Sequence, residues 1–148
     1  AVSALFDTSV VVAALHQAHP GHVSALSMLR GSGASTNNAF VTSHALAEVW
    51  SVLTRLPGGH AVNAQDATRA VERVSTMLTV VALDLQDYWD AMRRCQDCGL
   101  RSGAIFDALH VIAAERIGAR DVVTFNAKDF TRLAQGNSVT VVVPDAAK

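Results

Sequence analysis

Apolar runs of strand length alternate with helix-period segments along the whole chain, and this alternation restricts the fold more than any other feature. The strand-like runs are Val2–Phe6, Ala39–Thr42, Val80–Leu83, Asp121–Phe125 and Val139–Val143. Helical periodicity occupies about 9–18, 21–31, 43–56, 64–78, 85–100, 103–117 and 127–134. Such a pattern predicts an α/β fold in three layers, α/β/α, with a mostly parallel, roughly five-stranded central sheet. Val122-Val123 and Val139–Val143 are continuously apolar, as strands covered on both faces tend to be. Pro20-Gly21 separates the first two helices, Pro57-Gly58-Gly59 ends the third, and Gly118 stands where a C-terminal cap belongs. Ser43 and Ser102 are the expected N-caps of the helices that follow them.

The 148 residues contain no repeat or linker-like tract, so a single domain spanning 1–148 is expected. Half of them are hydrophobic, enough to bury a core without disulfides. The 12 basic and 13 acidic residues leave a formal charge of −1, which argues against a wholesale polyanion-binding surface but permits a local basic rim. No apolar run is long enough to span a bilayer, and the first run, broken by Asp7 and without a basic flank, does not read as a secretion signal. Cys95 and Cys98 form one C-x-x-C with no second pair, and the helical period around them reads as packed thiols. A reducing, cytoplasmic location is expected.

Three carboxylates interrupt apolar runs: Asp7 in VSALFDTSVVVAAL, Glu48 in HALAEVWSVL and Asp107 in AIFDALHVIAA. Acids are rarely buried unless paired, hydrogen-bonded or bound to a metal. Parallel α/β sheets bind ligands outside the carboxyl ends of their strands. Asp7 directly follows the first strand, Glu48 lies early in the helix after the second, and Asn126 follows the fourth. Asp107 opens the helix that feeds the fourth strand, so all four side chains can converge. Clustered acids either share protons or hold a cation, and oxygen-only donors favour Mg²⁺ or Mn²⁺. Phosphodiester hydrolysis is the natural chemistry of such a site. Taken singly, Asp7 could instead be a helix N-cap, and Glu48 could lie on a polar helix face.

LFDTS, the isolated glutamate of TSHALAEVWSVLTR, and DALHVIAAERIGARDVVTFNAKDF together resemble the PIN domains, and within them the small VapC-type toxins of bacterial toxin–antitoxin pairs. The resemblance implies a metal-dependent endoribonuclease in which Asp7, Glu48 and Asp107 match the three acids that hold Mg²⁺ or Mn²⁺. The fourth family position, often aspartate, is Asn126 here, which adds no charge and puts a second metal in doubt. Asp129 resembles part of the family's structural K-D-F ending and is a possible substitute. Thr8 and Ser9 match the family's D-T-S and could hydrogen-bond a carboxylate or a metal water. Also implied are products with 5′-phosphate and 3′-hydroxyl ends, a homodimer, and a VapB-like antitoxin that reaches the acidic pocket.

Other features carry plainer expectations. His16, His19 and His22 form H-x-x-H-x-x-H, but Pro20-Gly21 prevents one helix from presenting all three, so solvated turn residues are expected. His110 is expected in the core or on a helix face. Arg55, Arg93, Arg94, Arg101, Arg116, Lys128 and Arg132 are the candidate RNA-contacting cations, with Lys128 and Arg101 nearest the site in sequence. Trp50 and Trp89 sit at spacings that predict core or interface burial rather than base stacking. Two rival functions share the fold class. One is a catalytically inactive PIN-like module that binds RNA or protein. The other is a metal-dependent phosphatase, whose D-x-D is replaced here by Asp7-Thr8-Ser9.

Overall fold

Side-chain alternation along one short central strand, β1 (Ala4–Phe6), divides the core in two. Ala4 and Phe6 point to one face of the sheet and Leu5 to the other, all three buried. The computed structural model describes residues 3–32 and 38–145, so Val2 of the expected first strand lies outside the described residues. The other strands are β2 (Ala39–Thr42), β3 (Thr79–Val81), β4 (Asp121–Val123) and β5 (Thr140–Val142). They form one sheet in the order β3-β2-β1-β4-β5, with every pairing parallel. Helices α1 (Thr8–Leu15), α2 (His22–Ser32), α3 (Ser43–Thr54) and α4 (Ala64–Met77) cover the Phe6 face. Helices α5 (Leu85–Asp97), α6 (Ala104–Ile117) and α7 (Ala127–Leu133) cover the Leu5 face. The expected three-layer architecture is the observed one.

The strand order reverses between β1 and β4, the topological switch point where parallel sheets open a crevice. The chain leaves β1 at Asp7 and β4 at Thr124, beside that crevice. Helix α6 is buried from Ala108 through Ala114, which explains why its sequence lacks an amphipathic stripe.

Several boundaries move for identifiable reasons. β3 stops at Val81 rather than Leu83 because the next backbone groups bond elsewhere: Ala82 O accepts from Arg116 (2.8 Å) and Leu83 N donates to Ser43 Oγ (3.1 Å). Ser43 therefore does not cap α3. Thr42 does, its hydroxyl accepting from Ala45 N at 3.0 Å. Ser102 does not cap α6 either, because its backbone is left-handed (φ 59°) and Gly103 holds the cap position. Trp50 and Trp89 are 39% and 49% exposed on outer helix faces, so of the core or interface burial expected for them the core alternative does not occur.

Candidate active site

Asp7 caps α1, one of its two expected readings, and also lines the crevice. Its Oδ1 accepts from Val10 N (3.1 Å) and from the Ser9 hydroxyl (2.6 Å), while Oδ2 accepts from Thr124 Oγ1 (2.6 Å). The carboxylate is almost fully buried and is held from three sides. Glu48 projects from α3, where its Oε1 accepts a hydrogen bond from Thr8 Oγ1 at 3.1 Å. Asp107 stands in the first turn of α6, and its Oδ2 accepts from Asn126 Nδ2 at 3.0 Å. Asn126 also donates to Asp129 Oδ2 at 3.2 Å.

A cleft of about 440 Å³ is lined by Asp7, Thr8, Ser9, Glu48, Asp107 and Asn126, with Val12, Val52 and Leu56 as apolar walls and His19 and His110 between. Glu48 enters from the helices on the Phe6 face and Asp107 from those on the Leu5 face. The sheet edge between them contributes Asp7 and Asn126. Asp129 does not line the cleft but hydrogen-bonds Asn126 beside it.

The electrostatics are strained. Burial first, then the negative charges of Asp7, Asp129 and Glu48, push the Asp107 carboxyl up to about 7, although the Asn126 hydrogen bond pulls the other way. His110 Nε2 lies 3.9 Å from Glu48 Oε1, close enough for an ion pair. Burial nevertheless lowers the His110 pKa against the pull of Asp7 and Glu48, which disfavours the charged ring that would offset the acids. Among the described residues, no lysine or arginine lines the cleft, and Lys128 and Arg101 are both exposed outside it. An acid-rich pocket without a resident cation calls for one from outside.

Other expected features separate. Of the three turn histidines, His22 Nδ1 bonds Ala13 O (2.8 Å), His16 packs edge-on against His60, and His19 lines the cleft. His110 is core as expected, yet it also forms part of the cleft floor. Cys95 packs in the Leu5-face core, and Cys98 Sγ lies 3.2 Å from Arg132 O. Two residues at the site were not assigned to it from the sequence. Thr124 sits in the T-x-N of the C-terminal segment, a recognisable signal. His19 belongs to the H-x-x-H-x-x-H run, but the solvated turn position expected for it is not what occurs: folding of the turn brings it, half-buried, to the cleft.

Comparison with known proteins accords with this geometry. The PIN domain profile matches residues 4–136. Ribonuclease VapC40 of Mycobacterium tuberculosis is 33% identical over 114 residues, 77% of this chain and 80% of that protein. The solved structure of M. tuberculosis VapC20, a sarcin-ricin loop cleaving toxin, superposes with a TM-score of 0.71 at 19% identity, covering 87% of this chain and 94% of that one. A chain of VapBC2 from Rickettsia felis, solved on a promoter DNA fragment, gives 0.66 at 17% identity over 97% of this chain and 100% of its own. With its acids gathered at the switch point of a five-stranded parallel sheet, the chain belongs to the PIN domain family, among the VapC ribonucleases.

Proposed function

We propose that this protein is a divalent-metal-dependent endoribonuclease of the toxin–antitoxin type, acting as one PIN domain, with Asp7, Glu48 and Asp107 as the metal-holding acids and Asn126 as a neutral fourth member. The observation that carries this is the convergence of three carboxylates in one cleft where, among the described residues, no cationic side chain meets them. Those residues contain no group of three or more His, Cys, Asp or Glu side chains arranged as a ready metal shell. Donor chemistry supplies the fit: oxygen-only ligands, incompletely enclosed, suit Mg²⁺ or Mn²⁺, which keep several waters and take phosphate oxygens as further ligands. Such an ion, when bound, lowers the pKa of a coordinated water and screens the incoming phosphate from the acids.

The chain's own residues orient the acids. Ser9, Val10 and Thr124 hold Asp7 at both oxygens, leaving its lone pairs only partly committed. Thr8 fixes Glu48, and Asn126 fixes Asp107 while its own Oδ1 stays free of the hydrogen bonds made by Nδ2. In-line attack of water on the scissile phosphorus leaves 5′-phosphate and 3′-hydroxyl ends. The relatives' toxin–antitoxin setting supports a VapB-like antitoxin as inhibitor, a homodimeric assembly and action in the cytoplasm. No described helix is long and apolar enough to cross a membrane.

The test compares wild type with Asp7→Asn and Asp107→Asn on total cellular RNA in Mg²⁺ or Mn²⁺ buffer, mapping new 5′ ends. Both variants are expected to lose at least about a hundredfold in cleavage while staying folded, and chelation should silence the wild type. Full cleavage by both variants overturns the assignment. Metal-independent RNA binding without any cleavage by the wild type supports the inactive binding module instead.

A further inference from the structure

An acidic cleft that takes an RNA phosphodiester needs hydrogen-bond donors as well as a cation, and nearly all side-chain donors in this one are already engaged. The Thr8 hydroxyl donates to Glu48 and the Ser9 hydroxyl to Asp7. Asn126 Nδ2 donates to both Asp107 and Asp129, which accounts for its two hydrogens. His110 is only 2% exposed. His19 remains.

The turn around His19 sets its chemistry. Gly21 N donates to His19 Nδ1 at 2.9 Å, so Nδ1 is the acceptor nitrogen and a neutral ring must carry its proton on Nε2. Nε2 has no hydrogen-bond partner among the described residues. Burial, reinforced by His16 and His22, lowers the His19 pKa, in keeping with the neutral ring that the Gly21 hydrogen bond to Nδ1 requires.

The same turn is fastened to the site. The His19 ring packs against Phe125 with centroids 5.7 Å apart. A Cβ on Gly21 would come within 2.6 Å of Phe125 Cζ, so only glycine lets the turn close this tightly. Phe125 lies between Thr124 and Asn126, and its backbone N donates to Ser9 Oγ at 3.3 Å. His19 is thus positioned by the segment that holds Asp7 and Asp107.

We propose that His19 is the substrate-phosphate contact of this cleft, its Nε2–H donating a hydrogen bond to a non-bridging oxygen of the RNA backbone beside the scissile bond. This rests on the nuclease function proposed above and adds to it a residue that binds substrate without holding metal.

The test uses a fluorescent single-stranded RNA carrying the cleavage site mapped with the wild type, and the variants His19→Phe and His19→Gln. Phenylalanine keeps the ring on Phe125 and removes the donor, whereas glutamine restores a neutral N–H of similar reach. His19→Phe is expected to raise KM about tenfold or more, the worth of one hydrogen bond to a charged group, with kcat within about twofold. Anisotropy in an Asp7→Asn background should show the same loss of RNA affinity. The rise in melting temperature produced by Mn²⁺ alone should be unchanged in His19→Phe, and His19→Gln should recover most of the affinity. An unchanged KM in His19→Phe, or loss of the Mn²⁺ effect, overturns the assignment. So does a shift in which bonds are cut at unchanged affinity, which would indicate a base-edge contact. A wild type that cleaves no RNA overturns the nuclease function itself, an outcome distinct from an active wild type with an unaffected variant.

Discussion

Two charged clefts flank helix α6, and they treat the same residue types in opposite ways. The one between α5 and α6 is the larger, about 540 Å³ against about 440 Å³ at the acid cluster. There the buried Asp87 and the half-buried Glu115 each have an arginine. Arg116 donates to both oxygens of Asp87 at 2.9 and 2.8 Å, and Arg94 donates to both of Glu115 at 2.9 and 2.7 Å. Burial raises the Glu115 pKa, but hydrogen bonds from Arg94 and Ser138 outweigh it and the carboxyl settles below its ordinary value. Across α6, Asp107 moves upward because its neighbours are acids. Compensated charge ties α5, α6 and α7 together, and Arg94 also reaches Leu133 O at 2.7 Å. Uncompensated charge marks the cleft for which a cation is proposed, and it is the smaller of the two.

The contrast can be broken at either cleft. The largest effect is expected from Glu48→Gln, which should lower metal-supported RNA cleavage by about a hundredfold while barely changing the urea midpoint. Activity within a few-fold of wild type would remove Glu48 from the site. Arg116→Ala should do the reverse. It strands Asp87, which is 2% exposed, and should cost about 3 kcal/mol in urea unfolding, with cleavage per folded molecule unchanged. A near-neutral variant would mean that water replaces the guanidinium and that the pair is not structural.

The smallest effect is the most diagnostic. Asp107 titrates near 7 in the folded chain against an ordinary 3.8, so the metal-free fold binds its proton more tightly than the unfolded chain does. Its contribution to stability is therefore fully present below about 4 and is lost as pH rises through about 7. Glu115 has the opposite sign: its contribution is present above its ordinary 4.5 and falls away as acid protonates it. Metal-free melts should thus show a decline of a few degrees between about pH 4 and 7 that Asp107→Asn flattens and Mn²⁺ reverses. An unchanged slope in Asp107→Asn would assign the decline to other groups.

Much of this was legible beforehand because the signals are local. Period-two and helical patterns led to five strands and the intervening helices, and the cost of burying charge singled out Asp7, Glu48 and Asp107. Errors arose where distant partners intervene. β3 ends early because Arg116 and Ser43, far along the chain, take its next backbone groups. Trp50 and Trp89 have core-like spacing, but spacing cannot say whether an outer helix face is covered.

The sequence by itself determined the fold class, the three acids and the family likeness, since residue type and short-range order specify each of these. Only the tertiary structure decided the order β3-β2-β1-β4-β5, and with it which acids share a cleft and which find arginines. It also decided that His19, one of three similar histidines in a turn, stands at the cleft while its neighbours bond elsewhere. The physical reason is range. Propensity and hydrophobic period act over a few residues, whereas charge compensation depends on which side chains folding brings within a few ångströms.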